Sequence, residues 1–501
     1  MISISARKHD NFSIEFKCGF NCNDDRERDD FSVNAWVFVP NSLDINPENY
    51  GKNQFYSDIK SNIRLMTPVY LLREIADESS LPLTSLKSAM DAVVASPNVS
   101  NMDSYEYQLK MFSAIFRSSV RNHSEHILDT KSLVTSSYLI ADYISYSLQA
   151  VRKFRDLYRI VDVPTVPDKV RGYFRMCDEF IGHCLDIHTI ELIKKIESSS
   201  ESLELADLRN QLVAIVADER KYKHSADYGI LNGEGVHDRR LIYHRGMLKK
   251  FVESELFIHL SKKKDGIAIE QMYYSIAAGI AMIFATGVAW IIQLKYGNIT
   301  WPLFVALVVS YMMKDRIKDL MRYYFAHKLG NKYYDKKASI TIGKKRVGKI
   351  KEGFDFISLN NAPYAVLERR ERASFVEDEP RIFDEKVMLY RKRLTIDGKA
   401  LASVDNYPMS GINDIMRLHL TRFTHKMDNP KIDIDTLDSE GKLKSMSVRK
   451  TYYINVVFQL KHDEQTKYQH FRIVMSRDGV IEINEINFDV PNRYKLSNLY
   501  G

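Results

Sequence analysis

Cysteine is scarce in this chain: Cys18, Cys22, Cys177 and Cys184 are the only 4 among 501 residues. That is too few for a disulfide framework, so a reducing compartment is expected for the bulk of the protein. The opening stretch MISISARKHDNFSIEF has no basic segment followed by an apolar one, and a cleaved signal peptide is not expected. Contiguous catalytic signatures are also missing. No P-loop, dinucleotide fingerprint, G-x-S-x-G or H-E-x-x-H pattern occurs, which excludes the machineries that announce themselves in one stretch. Catalytic groups gathered from distant segments would leave no such trace. No cofactor is expected.

The composition is that of an ordinary globular chain, 45% hydrophobic and 27% charged. Its length implies two or three domains rather than one core. The net charge of +7 is local: Lys314 to Lys351 carries 13 Lys or Arg against 3 Asp, so the remaining residues are slightly acidic. A coherent positive surface for nucleic acid is therefore not indicated, and such a partner is not expected.

Long apolar runs are absent except in one place. Tyr273 to Leu294 holds 22 residues without a charge, about 33 Å as a helix, which matches a hydrocarbon core of about 30 Å. Tyr296 to Met313 is a second uncharged run, about 27 Å long on the same scale. Between them stand only Lys295 and the turn-forming Gly297-Asn298 within and beside the second run. The spacing predicts a two-helix transmembrane hairpin over 267–313, with spans at 273–294 and 296–313. Trp290, Tyr296 and Trp301 gather at the turn, and Tyr273, Tyr274 and Tyr311 are expected to mark the opposite interface.

Lys262, Lys263 and Lys264 precede the hairpin, and Lys314, Arg316, Lys318 and Arg322 follow it. By the positive-inside rule both termini face the cytosol, at the plasma membrane or bacterial inner membrane. These basic residues are the candidate membrane-interface set, with anionic lipid headgroups as partners. Ala277, Ala281, Ala285 and Ala289 recur every four residues, with Ala306 and Ser310 at the same spacing in the second run. Small residues in register let helices approach closely in lipid, either within the hairpin or between copies of the chain. Ser275, Thr286 and Ser310 are the main polar side chains of the runs, so an anchor is expected before a transport pathway.

Around the hairpin the pattern predicts an α+β multidomain chain. A small β-containing lobe is expected over 1–80, with strands at Asn11–Phe16 and Val33–Val39, then a helical cytosolic region over 81–265 divided at Pro164 and Pro167. Its last helix is expected to run from Arg239 to Leu260, into the anchor. A basic juxtamembrane stalk follows over 314–351, with Ile317, Leu320, Met321, Tyr324 and Phe325 at helical spacing. An α+β cytosolic domain is expected over 352–501: strands at Val387–Ile396, Tyr452–Leu460 and Tyr468–Ile486, the last broken by an Asp478-Gly479 turn, and an amphipathic helix at Ile412–Met427.

Metal-ligating residue types recur without a complete pattern. Cys18-x3-Cys22 supplies two ligands and lacks a second pair; Cys177, Cys184 and His188 share one side of a predicted helix; His123 and His126 flank one helical turn. Asp433, Asp435, Asp438 and Glu440 lack the glycine and terminal glutamate of a calcium loop. No metal site is expected. The clusters Glu368–Arg372 and Tyr390–Leu394 carry several arginines, read as alternating exposed charge on strand faces. The functional expectation is a membrane-anchored scaffold, sensor or interaction protein facing the cytosol. The alternatives are an anchored enzyme with a noncontiguous active site and a subunit of an oligomeric channel.

Overall fold

The structure, a computed structural model, describes residues 2–486 except 24, 200, 202, 231–234, 259, 266, 298–300, 329–333, 344, 372–384, 405 and 438–440. The chain divides into two compact units: Arg64–Phe257 with Asp405–Ser410, and Met1–Ile63 with Ile258–Val404 and Gly411–Gly501.

The first unit is helical, as the periodicity of its sequence requires. Its long helices are α1 (Leu81–Ala95), α2 (Val99–Leu128), α3 (Ser137–Asp156), α4 (Asp168–Ser198), α5 (Ala206–Ser225) and α6 (Gly235–Glu253). On α3 the buried positions Ile140, Tyr143, Ser147, Ala150, Val151 and Phe154 form one face. Phe154 stacks on Phe112 of α2 and Phe174 of α4, with ring centroids 5.2 and 4.6 Å away. Pro167 stands immediately before α4, where its fixed φ and missing N–H suit a helix start.

Sheets dominate the second unit. Its strands are β1 (Ile2–Asp10), β2 (Ser13–Asn21), β3 (Asp29–Pro40), β4 (Ile59–Leu65), β5 (Leu260–Lys264), β6 (Lys336–Ile342) and β7 (Lys345–Ile357), then β8 (Glu385–Ile396), β9 (Gly411–His419), β10 (Lys431–Leu437), β11 (Leu443–Arg449), β12 (Tyr452–His462), β13 (Gln465–Ser476) and β14 (Gly479–Ile486). They form a four-stranded sheet β1-β2-β9-β4, an eight-stranded sheet β14-β13-β12-β3-β8-β7-β6-β5 and a separate β10-β11 ribbon. The two larger sheets meet face to face. Phe16 on β2 packs against Phe458 on β12 at 5.0 Å, and Phe20 on β2 against Phe31 on β3 at 5.5 Å. Gly479 takes φ +121 at the turn between β13 and β14, where a Cβ would strike the Asn11 carbonyl.

The longer helices of the unit are α7 (Ile267–Tyr296), α8 (Trp301–Lys328) and α9 (Tyr364–Glu371). Val366 on α9 and Ala362 just before it join a buried cluster with Trp36, Phe38, Val387, Leu389 and Val457.

Several expectations are overturned. The boundaries at 80 and 352 do not separate domains, because β3 from the first and β12 from the last lie side by side in one sheet, and β7 crosses position 352. Ile412–Met427 is not a helix. Its first part is β9, paired antiparallel with β2 (Ile412 opposite Phe20, Met416 opposite Phe16), followed by a short helical turn at Thr421–Thr424. The expected helix Arg239–Leu260 ends at Glu253, after which Phe257 bridges Arg64 and the lysine triplet joins β5. The basic stalk is helical up to Lys328, and from Lys336 onward it supplies β6 and β7. By contrast, strands occur where Val33–Val39, Val387–Ile396, Tyr452–Leu460 and Tyr468–Ile486 predict them, with the break at Asp478-Gly479.

Candidate membrane interface

The hairpin of apolar helices grows from the edge of the eight-stranded sheet. β5 and β6 pair antiparallel with Lys264 opposite Lys336, and the ladder extends one step further through an Asp265 N–H to Asp335 carbonyl bond of 3.0 Å. The helices α7 and α8 lie in the chain between these two strands. They replace what would otherwise be a short β-turn.

Among the described residues one helix, α7 over Gln271–Lys295, is long and apolar enough to cross a membrane, and 11% of its most apolar window is buried. A soluble core helix of this composition would be covered by protein; here Ile276, Ile283, Trp290, Ile291 and Leu294 are exposed. On α8, Trp301, Phe304, Val309 and Met312 are likewise exposed. Ala277 and Ala281 are buried, and Ala285 accepts a 3.1 Å hydrogen bond from Ser310 on α8. The small-residue stripe thus faces inward toward the other helix, with Ala289 half-buried beyond it. The side chains of Tyr296 and Phe325, and Asn298 of the turn, lie outside the described residues.

The expected basic residues divide into two groups. Lys262 is used inside the fold, holding both oxygens of Glu352 at 3.0 and 3.1 Å. Lys263 and Lys264 are exposed on β5, opposite Lys337 and Lys336. Asp265 takes ion pairs from Lys337 at 3.2 Å and Lys351 at 2.7 Å. On α8, Lys314 lies over the Tyr311 ring at 3.8 Å, Lys318 pairs with Asp315 at 3.3 Å, Arg316 is exposed, and Arg322 lies over the Tyr274 ring at 5.2 Å. One expectation fails here. Tyr311 adjoins the level of Ala285, whereas Tyr274 is level with Arg322, so Tyr273, Tyr274 and Tyr311 cannot mark an interface perpendicular to the hairpin axis.

Beneath β5 the sheet encloses an ionic cluster that sequence reading took for surface charge. Lys392 on β8 is 1% exposed and contacts Asp414 on β9, Ser61 on β4 at 2.9 Å and Glu352 on β7 at 3.3 Å. Burial alone would depress its ammonium, but the Asp414 and Glu352 carboxylates more than offset this and raise it. Burial likewise pushes the Glu352 carboxyl up, and Lys392 and Lys262 outweigh it, leaving it below the usual range. These groups tie the two sheets together, with every charge opposed by another. The Glu368–Arg372 cluster also departs from expectation: it lies on helix α9, not a strand face, where Arg370 grips Glu385 at 2.8 Å. Arg372 lies outside the described residues.

The helical unit has its own buried cluster. Arg155 reaches Asp178 and Glu219, both at 2.8 Å, and lies 3.5 Å over the Tyr222 ring, while the Tyr222 and Tyr228 hydroxyls donate to Asp178 at 2.7 and 3.0 Å. In both clusters each of these carboxylates faces a cation. Surface cavities lie elsewhere: about 820 Å³ beside Arg220, His224 and Tyr228 in the helical unit, and about 440 Å³ beside Asn41, Asn46 and Lys386 in the sheet unit.

Among the described residues no cysteine belongs to a group of three metal-type side chains. Burial raises the Cys18 thiol and pushes those of Cys177 and Cys184 up to about 12. Cys22 lies 3.7 Å from the Phe20 carbonyl. His188 pairs with Glu191 at 3.0 Å, and His123 faces the Leu139 carbonyl at 3.0 Å. Asp433 and Asp435 lie on β10, whereas Asp438 and Glu440 are outside the described residues. The sole grouping of three metal-type side chains among the described residues is Asp29, His462 and Asp463, which sequence reading missed because its members come from opposite ends of the chain. A cation is already in place there: Arg26 bonds Asp463 at 2.8 Å and approaches Asp29 at 3.7 Å.

No protein-family model matches the chain, and no curated protein or solved structure is significantly similar to it.

Proposed function

We propose that the chain is a membrane-anchored protein whose α7–α8 hairpin holds a sheet unit and a helical unit at the cytosolic face of a bilayer, where they scaffold, sense or bind a protein partner. The observation that carries this reading is the exposed apolar surface of α7 and the uncharged part of α8, mounted on a sheet edge rather than packed in a core. That the hairpin leaves from and returns to adjacent strands supports a body on one side of the lipid. The basic flanks Lys262–Lys264 and Lys314–Arg322 support the cytosol as that side. Anionic headgroups are the natural counterions of Lys263, Lys264, Lys314 and Arg316.

Reporters that work only in the cytosol, or only outside it, test this when fused in turn to the two termini of the full chain. Both cytosolic fusions are expected to be active, and the protein is expected to resist high-salt and alkaline washing of membranes. An externally active fusion at either end, or release into the wash, would refute the proposal.

A further inference from the structure

The two helices of the hairpin are out of step with a flat interface. Ser310 on α8 bonds Ala285 on α7 at 3.1 Å, and Arg322 lies over Tyr274 at 5.2 Å, so one antiparallel register holds along the pair. In that register the uncharged part of α8, Trp301–Met313, lies beside the final part of α7, from near Met282 to Leu294. The equally uncharged start of α7, Met272–Ala281, lies instead beside Lys314–Tyr323. Its exposed side chains there are Met272, Ile276 and Ile280, while those of α8 include Arg316, Asp319 and Arg322. At one level, one flank of the hairpin is apolar and the other charged.

A membrane interface must therefore meet α7 near Met272 and α8 near Lys314. These points are offset by about ten residues, or about 15 Å along the axis, whereas packed helices lie about 9 Å apart. A plane through both points inclines the hairpin axis about 60° from the bilayer normal. The uncharged stretch of α7, about 34 Å long, then reaches about 17 Å below the interface, close to one leaflet of a core about 30 Å thick.

We infer that the hairpin is an oblique wedge in one leaflet, with α7 on the lipid side, the charged stem of α8 toward the headgroups, and its tip near the bilayer midplane. This rests on the anchor reading and replaces two full crossings. An upright crossing would draw Lys314, Asp315, Arg316, Lys318 and Asp319 into the near leaflet, where ionised side chains are costly. The wedge instead places one cation, Lys295, and the turn at depth. The lysine stem can lift its ammonium toward the shallower α8 side, and the Gly297 N–H is satisfied by Gln293 O at 3.0 Å.

The test uses the full chain with the half-buried Cys22 replaced by serine, a Lys295→Cys substitution, and an impermeant maleimide applied to sealed vesicles of both orientations. Less than a tenth of the detergent-opened labelling is expected from either side, while a Lys263→Cys control reacts from the cytosolic side. Replacing Lys314, Asp315, Arg316, Lys318 and Asp319 by leucine removes the offset and is expected to expose Lys295→Cys to the outside. External labelling of the protein without those leucines would overturn the wedge while leaving the anchor intact, and so would cytosolic labelling of a protein that still resists alkaline washing. Cytosolic labelling of a protein that washes off would overturn both.

Discussion

Lys392 shows what one buried charge can determine. It faces Asp414 and Glu352, all three almost wholly buried, and removing one member of such a set leaves the others desolvated and uncompensated. Lys392→Met is expected to cost about 3–5 kcal/mol in urea unfolding of the detergent-solubilised protein, with part of the loss recovered when Asp414→Asn is added. An unchanged midpoint for the single variant would show that the cluster holds nothing together. Two histidines set a pH dependence. Burial and nearby arginines lower His470 to about 4, and burial with Arg245 and Lys223 lowers His183 to about 4, from an ordinary 6.5. Each is favoured neutral in the fold, so its contribution is complete above pH 6.5 and is lost as pH falls through 4. For the fully buried His470 this is about 3 kcal/mol. Unfolding measured at pH 7 and pH 4.5 should show the loss, and His470→Gln should reduce the difference.

Helix pairing is settled by contacts that span the turn. Since Ala277 and Ala281 are buried and Ala285 bonds Ser310, the small-residue stripe serves packing inside one hairpin. With Cys22 replaced by serine, an Ala285→Cys, Ser310→Cys pair is expected to cross-link within a single chain and migrate as a monomer on a denaturing gel. Dimeric cross-linked product would assign the stripe to self-association. The strand β9 illustrates the opposite case, where local pattern misleads. Ile412, Met416, Leu420 and Phe423 fit a helical face, while the true alternation of Ile412, Asp414, Met416 and Leu418 is disguised because an aspartate occupies a buried position. Asp414 can be buried there only because Lys392 reaches it from another sheet.

The whole sheet unit treats the α7–α8 helical hairpin as an insertion in a tight β-turn. The ladder of β5 and β6 closes at Asp265 and Asp335, and Asp335 is held independently by Lys52 at 2.7 Å and Tyr56 at 3.0 Å. Replacing residues 266–334 by Asn-Gly should therefore yield a water-soluble chain with its β-sheet circular dichroism and cooperative unfolding retained. Aggregation or loss of the sheet signal would mean that the helices contribute to the fold rather than only to its location.

The sequence by itself determined what depends on neighbours along the chain. An uncharged run of membrane length, the helical periodicity from 81 to about 260, whose last residues the structure reassigns, and the alternating strands near 33, 387, 452 and 468 all arise from side-chain chemistry repeated at short range. Only the tertiary structure decided which strands share a sheet, that Lys392 is buried while Arg393 is exposed, and how the two apolar helices are offset. Lys392 meets Ser61 across 331 residues of sequence, and no local pattern encodes such a partner. Burial of a charge depends on a distant opposite charge, and the depth of a hairpin depends on the register between its arms.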